Sequence, residues 1–451
     1  MFNKLKKNTF LASVVTLTSG TAIAQAITVL ASPIITRLYT PADMGLLANF
    51  TAITAILGVV ATGTYDQAIV LPDDDKDANA LVLLGGGIVI VFGVIVTIIF
   101  IFFNEFLVAI FNLRDIPNIW VYGIGFFVVL IGFDAILSRL ATRRRQFKVQ
   151  ATTAVAQQVG MNGVKIGTGF LDMRTSGLLS ATVLGYLVRE IRLIFTQRDF
   201  LFSKKNHPGF DGIKKVTVRY KKFPLFASWS SLLNTASTQL PVVMFASLFS
   251  AGIAGYYALS HRILSLPMSL IGKSVGQVFI ERASKVRGDA DGLKRITFEA
   301  YKKLFLIGFA IMSFVMFYGD ILFPLVFGSE WLVAGQYAQW ISIWLVFVFV
   351  ASPLSNIYIV LEKQTEFLFV NIVMFISRIG VIFFALFIKM SDVNMIAGFS
   401  ILGAILCVCM CFRILKLVHV SSIVIVKTSL VVVIPIGALQ LLFSFLLRSV
   451  L

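Results

Sequence analysis

Charge is scarce in this chain: only 14% of its 451 residues are Asp, Glu, Lys or Arg, while 58% are hydrophobic. A soluble globular domain carries roughly 25% charged residues, so a water-exposed surface cannot be built from this composition. Cysteine is nearly absent. Cys407, Cys409 and Cys411 supply neither a disulfide framework nor a zinc spacing. Residues two apart on a helix turn to different faces and cannot share one metal, so apolar filling is the simpler role. Three histidines, His207, His261 and His419, stand too far apart in sequence to read as a catalytic set. No glycine-rich P-loop is present, which argues against ATP hydrolysis within the chain. The longest connection expected on the outer side, near 104–118, is too short for a folded catalytic domain. Neither an enzymatic activity nor a cofactor is expected.

What is present is a succession of apolar stretches. Crossing roughly 30 Å of hydrocarbon takes about 20 apolar residues, and a helix satisfies its own backbone where lipid cannot. Thirteen stretches qualify, near 10–38, 43–70, 79–104, 117–140, 150–171, 176–197, 223–249, 252–280, 298–324, 335–361, 366–389, 394–417 and 422–447. The expected fold class is therefore an all-α polytopic membrane protein.

Basic residues alternate between its connections. The N-terminus and the connections near 71–78, 139–149, 198–222, 281–303, 361–366 and 411–421 hold 27 Lys and Arg; the opposite set, with Arg37 at its edge and the C-terminal tail included, holds five. This bias places the N-terminus in the cytoplasm, and thirteen spans place the C-terminus outside. It also accounts for the formal net charge of +17 without nucleic acid, because the charge is spread over separate loops. Anionic lipid of the inner leaflet is the partner expected for Arg143-Arg144-Arg145 and the run from Lys214 to Lys222. Lys4, Lys6 and Lys7 precede an apolar stretch much longer than a signal h-region, so the first helix is expected to stay.

A shift of 210 residues lays the second span on the eighth: Gly45 falls on Gly255, Ala48 on Ala258 and Gln67 on Gln277, while Thr21 meets Ser231. Six helices per repeat make two parallel lobes related by an axis along the membrane normal, as in one class of secondary transporters. The expected division is a first lobe at 1–200, a basic cytoplasmic linker at 201–222, a second lobe at 223–418 and one extra helix within 419–451. Rocking two such lobes about a central cavity gives alternating access.

Ionisable groups within spans cost about 2.5 to 3.5 kcal/mol each at the bilayer centre, so they normally face a wet cavity or a partner. Here they are mostly basic: Arg37, Lys165, Arg262, Lys273, Arg378 and Lys427. A path lined by them suits an anionic substrate, and guanidinium forks match phosphate oxygens. Anchoring at helix ends competes with that role, above all for Lys427 and Arg37. Asp66 and Asp134 lie near cytoplasmic helix ends, where capping or pairing with Arg139 competes with ion coupling. Gln25, Gln157, Gln158, Asn162, Asn234, Gln239 and Asn371 offer hydrogen bonds to sugar hydroxyls, with helix packing as the rival role. Pro33, Pro241, Pro267, Pro353 and Pro435 mark candidate bends.

Ser19-Gly20-Thr21 with Gln25, then Arg37-Leu38-Tyr39-Thr40-Pro41-Ala42-Asp43-Met44-Gly45, then Asp66-Gln67-Ala68-Ile69-Val70-Leu71-Pro72, resemble the bacterial polysaccharide biosynthesis translocases, the O-antigen flippase group. Ala254-Gly255-Tyr256-Tyr257-Ala258-Leu259-Ser260-His261-Arg262, with Gly276-Gln277-Val278-Phe279, resembles the second lobe of the same group. The resemblance implies the multidrug/oligosaccharidyl-lipid/polysaccharide exporter fold and transfer of an undecaprenyl diphosphate-linked oligosaccharide across the inner membrane. The partners it implies are that glycolipid, membrane lipids and polysaccharide polymerase machinery. Arg37 and Arg262 match recurrent basic positions of the group; Lys165, Lys273 and Arg378 rest on their place in the spans alone. A drug exporter of the same fold would favour carboxylates along its path, and this chain favours cations.

Overall fold

The computed structural model describes residues 2–203, 207–268 and 272–450; within these, the side chains of 2–15, 17, 273–274, 277, 364 and 445–450 lie outside the description. The described residues are helical throughout, with no strand among them. Two compact units, Met1–Gly255 and Tyr256–Leu451, emerge.

The first unit contains α1 (Phe2–Leu38), α2 (Pro41–Ala61), the short α3 (Tyr65–Ala68), α4 (Asp75–Phe102), α5 (Asn104–Ile110) and α6 (Asn118–Tyr122). After these come α7 (Ile124–Arg143), α8 (Phe147–Phe170), α9 (Arg174–Leu201), α10 (Gly209–Arg219) and α11 (Ser228–Leu248). Thr40 starts α2 with a capping box, its side chain accepting from the Asp43 amide while Asp43 reaches back to the Thr40 amide. Pairings of α1 with α8, α8 with α9, α4 with α7 and α2 with α11 form the unit. The core is large and apolar, with Phe50, Phe127 and Leu178 at its centre.

α11, the first helix of the lobe expected at 223–418, packs along α2 and groups with the first unit by contact, as does the first turn of α12 (Ala251–Pro267). Small residues permit this: a Cβ added at Gly45 would lie 1.7 Å from the Ala251 carbonyl oxygen, and one added at Gly255 would lie 1.9 Å from that of Pro41.

The basic linker carries a helix folded onto α4. Its α10 buries Val216, with Tyr220 just beyond it, against Ala78 and Leu81 of α4. Asp77 receives Lys215 Nζ at 3.1 Å and Arg219 Nη1 at 3.7 Å. Arg143 and Arg144 also have protein partners, on Asp75 at 2.9 Å and Asp199 at 2.7 Å. The Arg144 hydrogen bond holds the Asp199 carboxyl below the usual carboxylate range.

The second unit continues with α13 (Lys273–Lys285), α14 (Ala290–Phe327), α15 (Leu332–Leu354), α16 (Asn356–Val360), α17 (Gln364–Phe387), α18 (Asp392–Leu417) and α19 (Ser422–Val450). α15 packs between α14 and α18. α19 is docked on α14 through Tyr301 and Ser429, whose hydroxyls lie 2.8 Å apart, and through Tyr318, which donates to the Gln440 carbonyl at 2.9 Å. Cys407 and Cys411 are buried one turn apart on α18 and Cys409 is exposed, as the helical period requires.

Prolines act differently by position. Pro33, Pro241 and Pro435 sit within continuous helices. Of the eighth span, expected as one helix, the structure describes α12 up to Pro267 and α13 from Lys273, with residues 269–271 outside the description. Pro353 stands one residue from the end of α15, and α16 follows.

Nine helical segments among the described residues are long and apolar enough to cross a bilayer, Ser422–Ser444 among them. α8, α9 and α11, at 24, 28 and 21 residues, are long enough but more polar. Large apolar side chains face outward in rows, such as Ile90, Val94, Ile98 and Ile101 on α4, or Phe369, Ile376, Phe383 and Phe387 on α17. In water such rows would drive aggregation; in lipid they are the required surface. The protein is an all-α polytopic membrane protein.

Candidate functional site

A tight turn builds the polar centre of the first unit. The second span was expected to run to 70, but α2 ends at Ala61 because Gly63 and Thr64 take left-handed angles, φ +57° and +53°, which no α-helix continues. Thr62 Oγ1 accepts from the Thr64 amide at 3.1 Å and donates to Asp66 Oδ1 at 2.6 Å. Thr64 Oγ1 donates to the Phe223 carbonyl at 3.0 Å, fastening the turn to the segment before α11. Asp66 is thereby fixed and buried, with Arg139 Nε 3.7 Å from its Oδ2.

Around this pair lies a cavity of about 510 Å³. Thr51 and Thr54 of α2, Thr182 and Tyr186 of α9, and Thr235 and Gln239 of α11 line it beside Asp66 and Arg139. Hydroxyls and amides donate and accept at many angles, and one ion pair supplies both signs of charge. Ala55, Val59, Phe127, Ile131 and Ala135 complete the wall, so hydrogen-bonding groups are set into an apolar lining. Asn234, the residue singled out on α11, is exposed, and its carbonyl accepts from Ser237 Oγ at 2.9 Å. The neighbouring Thr235 and Gln239 face the cavity in its place.

Asp134 pairs with Arg189, and Arg139 goes to Asp66. The Arg189 guanidinium bonds Asp134 through Nε, Ser138 Oγ through Nη2 at 2.9 Å and Gln157 Oε1 through Nη1 at 3.3 Å. One side chain of α9 thus clamps α7 and α8. Arg189 was not among the residues singled out from sequence, although Arg189-Glu190 inside an apolar stretch was the available signal. Glu190 is buried and its Oε1 has no hydrogen-bond partner among the described residues.

A polar seam runs between α1 and α8. Thr28 Oγ1 donates to Gln158 Oε1 at 2.8 Å, Asn162 Nδ2 donates to the Gln158 carbonyl at 2.7 Å, and Tyr39 donates to the Lys165 carbonyl at 2.8 Å. Asn162 and Lys165 are both buried there, and Gln25 is half-buried on α1. The seam gives Asn162 a packing role. Arg37, exposed, donates to the Pro33 carbonyl at 3.0 Å, a basic residue at a helix C-terminus.

In the second unit, Arg378 lies over Trp344, its Cζ 4.5 Å from the ring centroid. His261 and Tyr257 of α12 and Phe399 of α18 complete the cluster, with centroid separations of 6.0 Å for His261–Trp344, 5.6 Å for Tyr257–His261 and 5.7 Å for Trp344–Phe399. Arg262, adjacent in sequence, is exposed on α12. The Lys273 side chain lies outside the described residues.

Helices of this number, length and apolarity, with polar groups held inside, define a multi-span membrane protein. The family model for polysaccharide biosynthesis protein matches residues 34–336, and the chain belongs to that family. A curated relative, lipopolysaccharide biosynthesis protein WzxC of Escherichia coli (strain K12), is 24% identical over 158 residues, 34% of this chain and 31% of that protein. The match thus spans about a third of that relative's length. Among solved structures, lipid II flippase MurJ in an inward closed conformation is similar with a TM-score of 0.70 and 16% identity, over 97% of each chain. The inward-facing conformation of a multidrug resistance MATE family transporter of the MOP superfamily has a TM-score of 0.67 and 14% identity, over 88% of this chain and 96% of that one. At such identity the likeness is one of fold.

Proposed function

We propose that the chain is a lipid-linked oligosaccharide flippase. It moves an undecaprenyl diphosphate-linked glycan, such as an O-antigen or capsule repeat unit, from the inner to the outer leaflet of the bacterial cytoplasmic membrane by alternating access. The N-terminus is cytoplasmic in this reading, the lobes at 1–200 and 223–418 are the moving parts, and 419–451 adds a further span. Membership of the polysaccharide biosynthesis family over residues 34–336 carries the proposal. The cavity of the first unit, with hydroxyls, amides and an ion pair in its wall, supports it. Sugars and a diphosphate cannot cross hydrocarbon unaided, since each unpaired polar group costs kilocalories.

A cation-coupled multidrug exporter is the second reading, favoured by the MATE likeness in fold. Against it, Asp66 and Asp134 are each engaged by an arginine, so neither stands as an open carboxylate for a cation. Deleting the gene and locating the lipid-linked glycan separates the two. Accumulation in the inner leaflet is expected; a normal leaflet distribution with altered drug tolerance would favour the exporter.

A second expectation concerns the two arginines of the second unit. Arg262→Ala and Arg378→Ala should each lower glycan export about tenfold, the weight of one charge-assisted hydrogen bond, with membrane insertion unchanged. Full export by both variants at wild-type protein levels removes them from the path.

A further inference from the structure

The hairpin of α13 and α14 holds a groove of about 400 Å³, distinct from the cavity and clusters described above. One face of each helix builds it. Phe279, Leu304 and Ile307 form an apolar floor, while Arg282 from α13 and Lys303 from α14 stand on opposite walls, with Glu299 between them in sequence from Lys303 by one turn. Among the described residues no ion pair joins Glu299 to either cation, and Glu281, the neighbour of Arg282, is held by Lys285 at 2.7 Å. Arg282, Glu299 and Lys303 are all exposed.

Position decides what the groove meets. α14 has 38 residues, about 57 Å at 1.5 Å per residue, whereas roughly 30 Å of hydrocarbon needs about 20. Its first third is polar and its remainder apolar, so the change from water to lipid falls near Lys302 and Lys303. Ile307, one turn further along, is 41% exposed and lies on the lipid side of that change. The groove therefore opens at headgroup height, with cations at the rim and an apolar floor running inward.

We propose that this groove binds an anionic phospholipid of the facing leaflet, its phosphodiester held between Arg282 and Lys303 and an acyl chain laid over Phe279, Leu304 and Ile307. Charge balance selects an anionic lipid over a zwitterionic one. Arg282, Lys303 and Glu299 sum to one positive charge, which a monoanionic headgroup neutralises and a zwitterion leaves uncompensated. The volume lies within the range of small-molecule pockets, so the groove takes part of one lipid. This inference rests on the membrane-protein reading of the chain and not on the identity of the transported glycan, so glycan export and lipid binding fail independently.

The test is native mass spectrometry of the full chain released from nanodiscs containing phosphatidylglycerol, phosphatidylethanolamine or phosphatidylcholine. Retained phosphatidylglycerol is expected, and Arg282→Ala and Lys303→Ala should each weaken retention about fivefold, the weight of one basic group at a lipid surface. Glu299→Gln is the sign test: it removes a repulsive charge and should strengthen phosphatidylglycerol retention without threatening the fold. Weaker retention in Glu299→Gln, or a preference for phosphatidylethanolamine, would mean that the acid receives an ammonium and overturns the anionic assignment. Equal retention of all three lipids, unchanged in every variant, would mean bulk annular lipid and no site.

Discussion

Gly45→Ala and Gly255→Ala are each expected to cost about 3 kcal/mol or more of stability, at the upper end of what overpacking does. The added methyl would sit 1.7 Å from the Ala251 carbonyl oxygen in the first variant and 1.9 Å from the Pro41 carbonyl oxygen in the second. Both obstacles are backbone atoms of helices, which cannot swing aside as a side chain does. Relief requires α2 and the first turn of α12 to separate, which loosens contacts that close approach had made. The contact is also reciprocal: Gly45 meets the residue four before Gly255, and Gly255 meets the residue four before Gly45. These are the positions that a shift of 210 residues superposes, and reciprocity between equivalent positions is what local two-fold symmetry produces. Thermal unfolding in detergent reads the cost. Gly87→Ala and Gly160→Ala are the controls, because nothing lies within 4 Å of a Cβ at either, and alanine favours the helix. Melting of Gly45→Ala alongside these controls would show that the helices part at little cost.

Helical architecture was legible in the sequence because it rests on length and apolarity, which are local. The end of α1 was legible too, since Arg37 lies one turn beyond Pro33 and its anchoring needs no distant partner. Three features were hidden. The stop at Ala61 depends on left-handed angles at Gly63 and Thr64, and Thr64 has a β-branched side chain that rarely accepts them; the bonds from Thr62 and to Phe223 hold the turn. The partner of Asp134 lies 55 residues away on α9, while Arg139, five residues away, was the nearer choice along the chain. The basic run of 214–222 resembles a lipid-binding tract in composition, yet Asp77 of α4 takes two of its cations, and only the fold brings Asp77 there. Polar residues of α8 present the same difficulty. Gln158 and Asn162 have the composition of a substrate lane, and in the structure both also bond Thr28 of α1, a partner that only the fold brings near.

Arg189→Ala should produce the second large effect, because it removes the guanidinium paired with Asp134 from a site where both side chains are mostly covered, at 18% and 24% exposure. Removing one member of a buried pair costs about 3 to 5 kcal/mol, since the remaining charge stays desolvated. Gln157 and Ser138 lose their donor at the same time, so α7, α8 and α9 loosen together. A pair of neutral side chains avoids that penalty. Asp134→Asn combined with Arg189→Gln should therefore recover most of the lost stability, and double-mutant comparison isolates the pair. Glycan export then separates structure from mechanism. If Asp134 serves only as the anchor of the clamp, the double variant folds and exports; if it binds a coupling ion, the double variant folds and stalls. Export is the expected outcome, because the carboxylate is already engaged by Arg189. A double variant as unstable as Arg189→Ala alone would instead mean that Arg189 acts chiefly on Glu190, the buried acid beside it.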